Sequence, residues 1–193
     1  MRPTLPAPLW ALTIAALLAA PAARAVDDPW VAEARSVATA VPPKLLKVLT
    51  EAIAQDGPAG ALGVCKEEAP KMARAASEAS GWQIRRVSQR NRNPKAVPDA
   101  WELATLQDFD RRAAAGEPPQ TLERFEQVLV DGRPVQRYMR ALPTQPMCLA
   151  CHGAPEQLGP GVAERLRTLY PDDRAVGYSA GQVRGAITLK KPL

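Results

Sequence analysis

The chain contains a single histidine among 193 residues, and it stands directly behind a pair of cysteines, in Cys148-Leu149-Ala150-Cys151-His152. Any centre that needs an imidazole must therefore be built at this point. A Ser-His-Asp hydrolase would have to use His152, and a multi-histidine metal centre is excluded. The spacing C-x-x-C-H is the attachment pattern of c-type haem. Two thiols add across the two haem vinyl groups as thioethers, and the imidazole that follows ligates the iron. Two other chemistries use the same residues. Cys148 and Cys151 can form a disulfide in an oxidising compartment, but a thioredoxin-type motif needs a strand before it and a helix after it. Pro146 on one side and Gly153-Ala154-Pro155 on the other fit that poorly. Zinc would recruit Cys65 as a fourth ligand, although structural zinc sites use looser spacing than adjacent Cys151 and His152.

The N-terminus carries an address. Arg2 precedes an uncharged apolar stretch from Leu9 to Ala20, and Ala23-Arg24-Ala25 has the small-x-small form of a cleavage site. This is the pattern of a secretory signal peptide over residues 1–25, leaving a mature chain of residues 26–193 in the periplasm. The apolar run is too short for a membrane anchor, so no membrane association is expected after cleavage. Losing Arg2 and Arg24 lowers the formal net charge from +5 to +3, which gives no reason to expect a nucleic-acid partner.

Along the mature chain, Pro29 opens a helix with Trp30, Ala34, Val37, Ala38 and Val41 at helical spacing, and Pro42-Pro43 is expected to stop it. A second helix carries Leu45, Leu46, Leu49 and Ile53 and ends at Asp56-Gly57-Pro58. A third runs from Ala61 to Ser80, with Pro70 as a possible kink. Its face of Ala61, Cys65, Ala69, Met72 and Ala76 is small enough for a flat, bulky group to approach. Trp82 to Ser88 reads as a strand and Pro98 to Ala115 as a helix. Thr121 to Val130 and Val135 to Leu142 flank Asp131-Gly132, a strong hairpin signal. Val162 to Leu169 reads as a short helix. From Val183 to Lys190 apolar residues alternate with Arg184, Ala186, Thr188 and Lys190, the pattern of a half-buried strand. The sum is an α+β domain with a small antiparallel sheet.

With no second histidine, the other axial position is open to Cys65, Met72, Met139, Met147, a lysine or a tyrosine, or to no side chain at all. Cys65 also reads as a small buried hydrophobe. Arg85, Arg86, Arg90 and Arg92 form either a solvated basic edge or a source of guanidinium groups for haem propionates. Arg85 and Arg86 must point to opposite faces of a strand, so only one of them, Arg86 in this reading, faces the haem. Tyr170, Arg174 and Tyr178 are further candidates for the pocket wall or a propionate, and Tyr178 reads equally as core. The tryptophans Trp30, Trp82 and Trp101 read as packing residues.

Four segments resemble the family of PAS-like c-type haem domains, which includes stand-alone monohaem cytochromes and sensor regions of histidine kinases and chemoreceptors. They are Ala61-Leu62-Gly63-Val64-Cys65 with Ala69-Pro70, Arg85-Arg86-Val87-Ser88 with Arg92-Asn93-Pro94 and Pro98, Cys148 to Gly153, and Tyr170 to Ala175 with Gly177-Tyr178 and Gly185-Ala186-Ile187. The resemblance implies a PAS-like antiparallel sheet with added N-terminal helices around one covalent haem c. It also implies His/Cys axial ligation, with His152 and Cys65 in those roles.

The function expected is therefore that of an exported monohaem cytochrome in electron transfer, docking to a redox partner protein. The alternative is a redox or diatomic-gas sensor for NO or CO that signals through a separate partner, since no transmitter module follows Leu193. Enzymatic activity is not expected, because a haem peroxidase needs a distal acid-base residue and His152 is already used.

Overall fold

The computed structural model describes residues 28–193; the expected signal peptide lies outside the described residues. The first element, α1 (Pro29–Ser80), begins with proline at its first turn and ends at Gly81, whose φ of 73° turns the chain out while its N–H donates to the Ser77 carbonyl at 2.9 Å. Its helical geometry is broken at Gly57 (φ 69°, ψ 177°), within the expected Asp56-Gly57-Pro58 stop. Residues Val31, Ala34 and Ala38 before this break share a cluster with Ala76 beyond it. An unbroken helix would place Val31 and Ala76 roughly 65 Å apart at 1.5 Å per residue. The two arms, 29–56 and 58–80, therefore double back into a helical hairpin.

Pro42-Pro43 does not end the helix, contrary to the sequence expectation, and Pro70 does not divide it. A proline removes one intrahelical hydrogen bond and crowds the preceding turn. Here Ala38 and Val41 are held against the sheet, so packing keeps the arm helical through the prolines.

Among the described residues, β1 (Gln83–Val87), β2 (Glu123–Val130), β3 (Arg133–Pro143) and β4 (Val183–Pro192) form one antiparallel sheet in the order β1-β4-β3-β2. The expected β2–β3 hairpin is present, and Asp131 (φ 52°) with Gly132 (φ 75°) gives the doubly left-handed turn that suits strand twist. Helix α2 (Ala100–Ala114) starts two residues later than Pro98. Asp99 caps it, in a reciprocal capping box with Glu102.

The hairpin α1 covers one face of the sheet, where Ile84, Tyr138, Ile187 and Leu189 meet Val31, Ala34 and Ala38. The other face carries Val87, Met139, Ala141 and Ala186 against Leu106 and Phe109 of α2. Residues Arg184 to Leu189 of β4 are consequently all buried. This corrects the expected half-buried strand: with a helical layer on both faces, no side of β4 is left to water. Two short helices, α3 (Leu149–His152) and α4 (Val162–Leu169), complete the α+β architecture, with Val162 and Leu166 of α4 packed on Leu62 of α1. Among the described residues, no helix is long and apolar enough to cross a membrane.

Candidate functional site

A 3₁₀ turn at Pro146–Cys148 runs directly into α3, so Cys148, Cys151 and His152 sit on a single compact helical turn. Gly153 ends it, its N–H donating to the Leu149 carbonyl at 2.8 Å. A side chain at Gly153 would collide with that carbonyl and with Gln157. Cys148 and Cys151 are free thiols and half-buried, as is Cys65. The fourfold Cys₃His zinc cage does not form. Among the described residues, no three His, Cys, Asp or Glu side chains stand close enough to hold a metal ion.

His152 is fixed from several sides. Its Nδ1 lies 2.6 Å from the Ala175 carbonyl oxygen. A carbonyl can only accept, so Nδ1 carries the proton and donates it there, leaving the Nε2 lone pair free for a metal. The Tyr178 N–H donates to the His152 carbonyl at 2.9 Å, and the Gly177 N–H to the Gly153 carbonyl at 2.7 Å. The Tyr178 ring meets the imidazole edge-on at 6.4 Å. Burial, reinforced by the Arg184 and Arg92 charges, pushes the His152 pKa far down, so the ring is neutral and its lone pair available.

Three arginines surround this turn. Arg92 is buried; its Nη2 donates to the Cys151 carbonyl at 2.6 Å and pairs with Asp173 at 3.1 Å. Arg184 is also buried, with Nη1 donating to Ser88 Oγ at 3.1 Å and to the Arg90 carbonyl at 3.3 Å. Burial pulls its pKa down to about 9, helped by the Arg86 charge, so it remains a cation at neutral pH. Arg184 Nε approaches His152 Nδ1 at 3.2 Å.

Arg86 behaves differently. The strand sends Arg85 to Glu102 of α2, while Arg86, paired with Ile187, takes the opposite face, under α1. Arg86 keeps exposed surface, yet burial lowers its pKa while the Cys65 and Cys148 thiols and Tyr178 pull it back up. Its charge acts on Cys65, Cys148 and Tyr178, which sets the guanidinium beside the open space, the hollow, that these side chains border. Among the described residues it has no hydrogen bond or ion pair.

Cys65 looks into the same hollow from the second arm of α1. Burial pushes its thiol up, and Arg86 and Arg92 counteract this. Val64, Cys65, Ala69, Met72 and Ala76 on that arm are only partly covered by protein. Tyr170 is buried beside Leu62, with its phenol pushed up to about 12 by burial and by Cys65.

Cys65, Arg86, Cys148, Cys151, His152, Tyr170 and Tyr178 are thus gathered in one place. Arg174 is not. Its side chain is exposed, and only its N–H is engaged, donating to the Asn91 carbonyl at 3.1 Å. Met139 is fully buried on the α2 face, away from the hollow, and is no candidate for it. Arg184 was not legible as a site residue, because the alternation in β4 assigned it to a solvent face. A cleft of about 700 Å³ between α2 and the 177–183 loop is lined by Arg90 and shares Tyr178 with the site, and its lining includes no thiol or imidazole.

A family model described as Tll0287-like matches residues 16–192. Among solved structures, the crystal structure of the cyanobacterial heme-protein Tll0287 superposes with a TM-score of 0.65 and 24% sequence identity, over 86% of this chain and 96% of that one. At that identity the likeness is one of fold, and the PAS-like expectation for the sheet and its N-terminal helices holds. The comparison with curated proteins found no match. The family match runs through nearly the whole described chain, from the N-terminal hairpin past the His152 turn to β4, and on that ground the protein belongs to the Tll0287-like family.

Proposed function

We propose that this protein is an exported, periplasmic monohaem c-type cytochrome that transfers electrons. The observation that carries the reading is the state of His152: Nδ1 is committed to the Ala175 carbonyl and Nε2 is free, one residue from a thiol pair at thioether spacing. The surroundings fit haem. Cys148 and Cys151 would hold it covalently and His152 would ligate the iron. The partly covered apolar face around Cys65 leaves room for a flat group, and Arg86, without an acidic partner among the described residues, suits a propionate. Tyr170 and Tyr178 would line the pocket, and Arg174 would reach a propionate only by a change of side-chain position. The solved relative named above is itself a heme protein. Cys65 is the proposed second axial ligand. A bound haem would supply one-electron chemistry; the chain's part is to orient the imidazole, cover the ring and balance charge. No catalytic residue is proposed. The partner is a redox protein, with no nucleic acid or membrane involved.

One observation favours the sensor alternative. Cys65 Sγ makes no hydrogen bond among the described residues, so nothing in the protein fixes the sulfur in a ligating position. A ligand held this loosely can leave and admit NO or CO, with a separate protein reading the change.

The test is the visible spectrum and intact mass of protein matured in a host with c-type haem attachment. A Soret band and one haem retained after acid denaturation support the reading; Cys148→Ser with Cys151→Ser loses the covalent haem. A properly matured protein with no Soret band overturns it. Reduced protein unchanged by CO indicates fixed ligation and electron transfer, and a prompt CO shift moves the sensor ahead.

A further inference from the structure

Resting on the haem reading above, we infer that Arg184 is a positioning residue that sets the reduction potential of the iron through His152. Two groups compete for the same imidazole nitrogen. The Ala175 carbonyl accepts the Nδ1 proton at 2.6 Å and pushes electron density into the ring, which strengthens it as a ligand and favours ferric iron. Arg184 Nε stands 3.2 Å from that nitrogen. With the proton directed at Ala175, the guanidinium finds no lone pair there and acts as a fixed positive charge.

Three features make this charge effective. Arg184 is 6% exposed, so water screens it weakly. Among the described residues it has no ion pair; its anchors are Ser88 Oγ and the Arg90 carbonyl, both neutral. The Tyr178 ring lies 5.2 Å from the guanidinium and backs the imidazole as well, holding the two in register.

The step concerned is a one-electron reduction. Ferric iron gains an electron from the reductant, no bond forms or breaks, and one positive charge is neutralised. A buried cation beside the axial imidazole makes that neutralisation more favourable. Arg184 thus raises a potential that a thiolate from Cys65 would lower.

The experiment is a spectroelectrochemical titration of the matured protein, with dithionite as reductant. Arg184→Met is expected to shift the reduction equilibrium at least tenfold toward ferric, about 59 mV for a one-electron couple. Arg184→Lys retains the charge and restores most of the wild-type value. Ser88→Ala removes an anchor but no charge and leaves the potential near wild type. Where Arg184→Met does not accumulate, Arg184→Gln gives the same measurement. A Met or Gln variant within twofold of wild type overturns the inference. So does a Lys variant as low as Met, or a Ser88→Ala variant that falls as far. A wild-type protein with no Soret band fails at the haem reading itself, and takes this inference with it; a haem-loaded series with unmoved potentials fails here alone.

Discussion

At the scale of single residues, Cys65 and Gly185 do opposite kinds of work. Among the described residues no group holds the Cys65 thiol where it meets the hollow, so its removal tests ligation with little cost in packing. In the proposed cytochrome, Cys65→Ala changes the Soret position of the oxidised protein; an unchanged spectrum in both oxidation states would sink the ligand assignment. Gly185 has φ 149°, and a Cβ there would run into the Val87 carbonyl of the neighbouring strand and crowd Ser88. Strain and overpacking together make Gly185→Ala cost about 3 kcal/mol, a Tm lower by about 10 °C in a thermal melt. The sequence displays such residues unevenly. His152 and its two thiols were legible because their chemistry demands adjacency. Arg86 was legible from strand alternation against Arg85. Arg184 was not, because alternation reports a solvent face only when one face of the strand is wet, and here both are covered.

At the scale of elements, the capping box of α2 has a second use. Glu102 closes the box with Asp99, and it also accepts from Thr188 at 3.0 Å and pairs with Arg85 and with Arg137, the latter at 3.3 Å. One carboxylate thereby starts a helix and pins it to three strands. Arg137 is itself buried, and Glu102→Ala leaves it with only the more exposed Asp99 at 2.7 Å. The expected loss is about 3 kcal/mol in urea unfolding; a loss below 1 kcal/mol would show the buried charge to be solvated some other way. Elements were readable where a local signal dominated, as at Asp131-Gly132. They were misread where packing overruled one: Pro42-Pro43 is a helix stop by local rules, yet the arm continues past it, with Ala38 and Val41 just before the prolines packed in the sheet-facing cluster. The doubling back at Gly57 had a visible break in Asp56-Gly57-Pro58, but its direction depends on Val31 and Ala76 joining one cluster with the sheet, which no local pattern contains.

At the scale of the whole molecule, the helical hairpin is tied to the sheet edge by Arg35, whose Nη2 bonds Glu123 of β2 at 2.6 Å, while the Tyr138 hydroxyl donates to the same carboxylate at 2.6 Å. Burial would raise the Glu123 pKa, but Arg35, Tyr138 and Arg140 outweigh it and the folded-state value is lowered. A depressed folded value contributes stability that is fully present above the unfolded-state value, near 4.5, and is lost as pH falls through the folded one. Melting temperature should therefore hold steady from pH 7 to 6 and fall in acid. Glu123→Gln should start lower and fall less steeply, and parallel curves for the two proteins would exclude the linkage.

The strand order has a consequence in time. Gln83 of β1 pairs with Lys190 of β4, and β4 is also the partner of β3, so no strand of the sheet has two partners until β4 is in place. A chain delivered from its N-terminus exposes Cys148 and Cys151 before that strand exists, and such long-range pairing is slow to close. In the proposed cytochrome this order of pairing would leave both thiols on a loose polypeptide while haem is attached, and β4 would then close the site by carrying Arg184 in behind the imidazole.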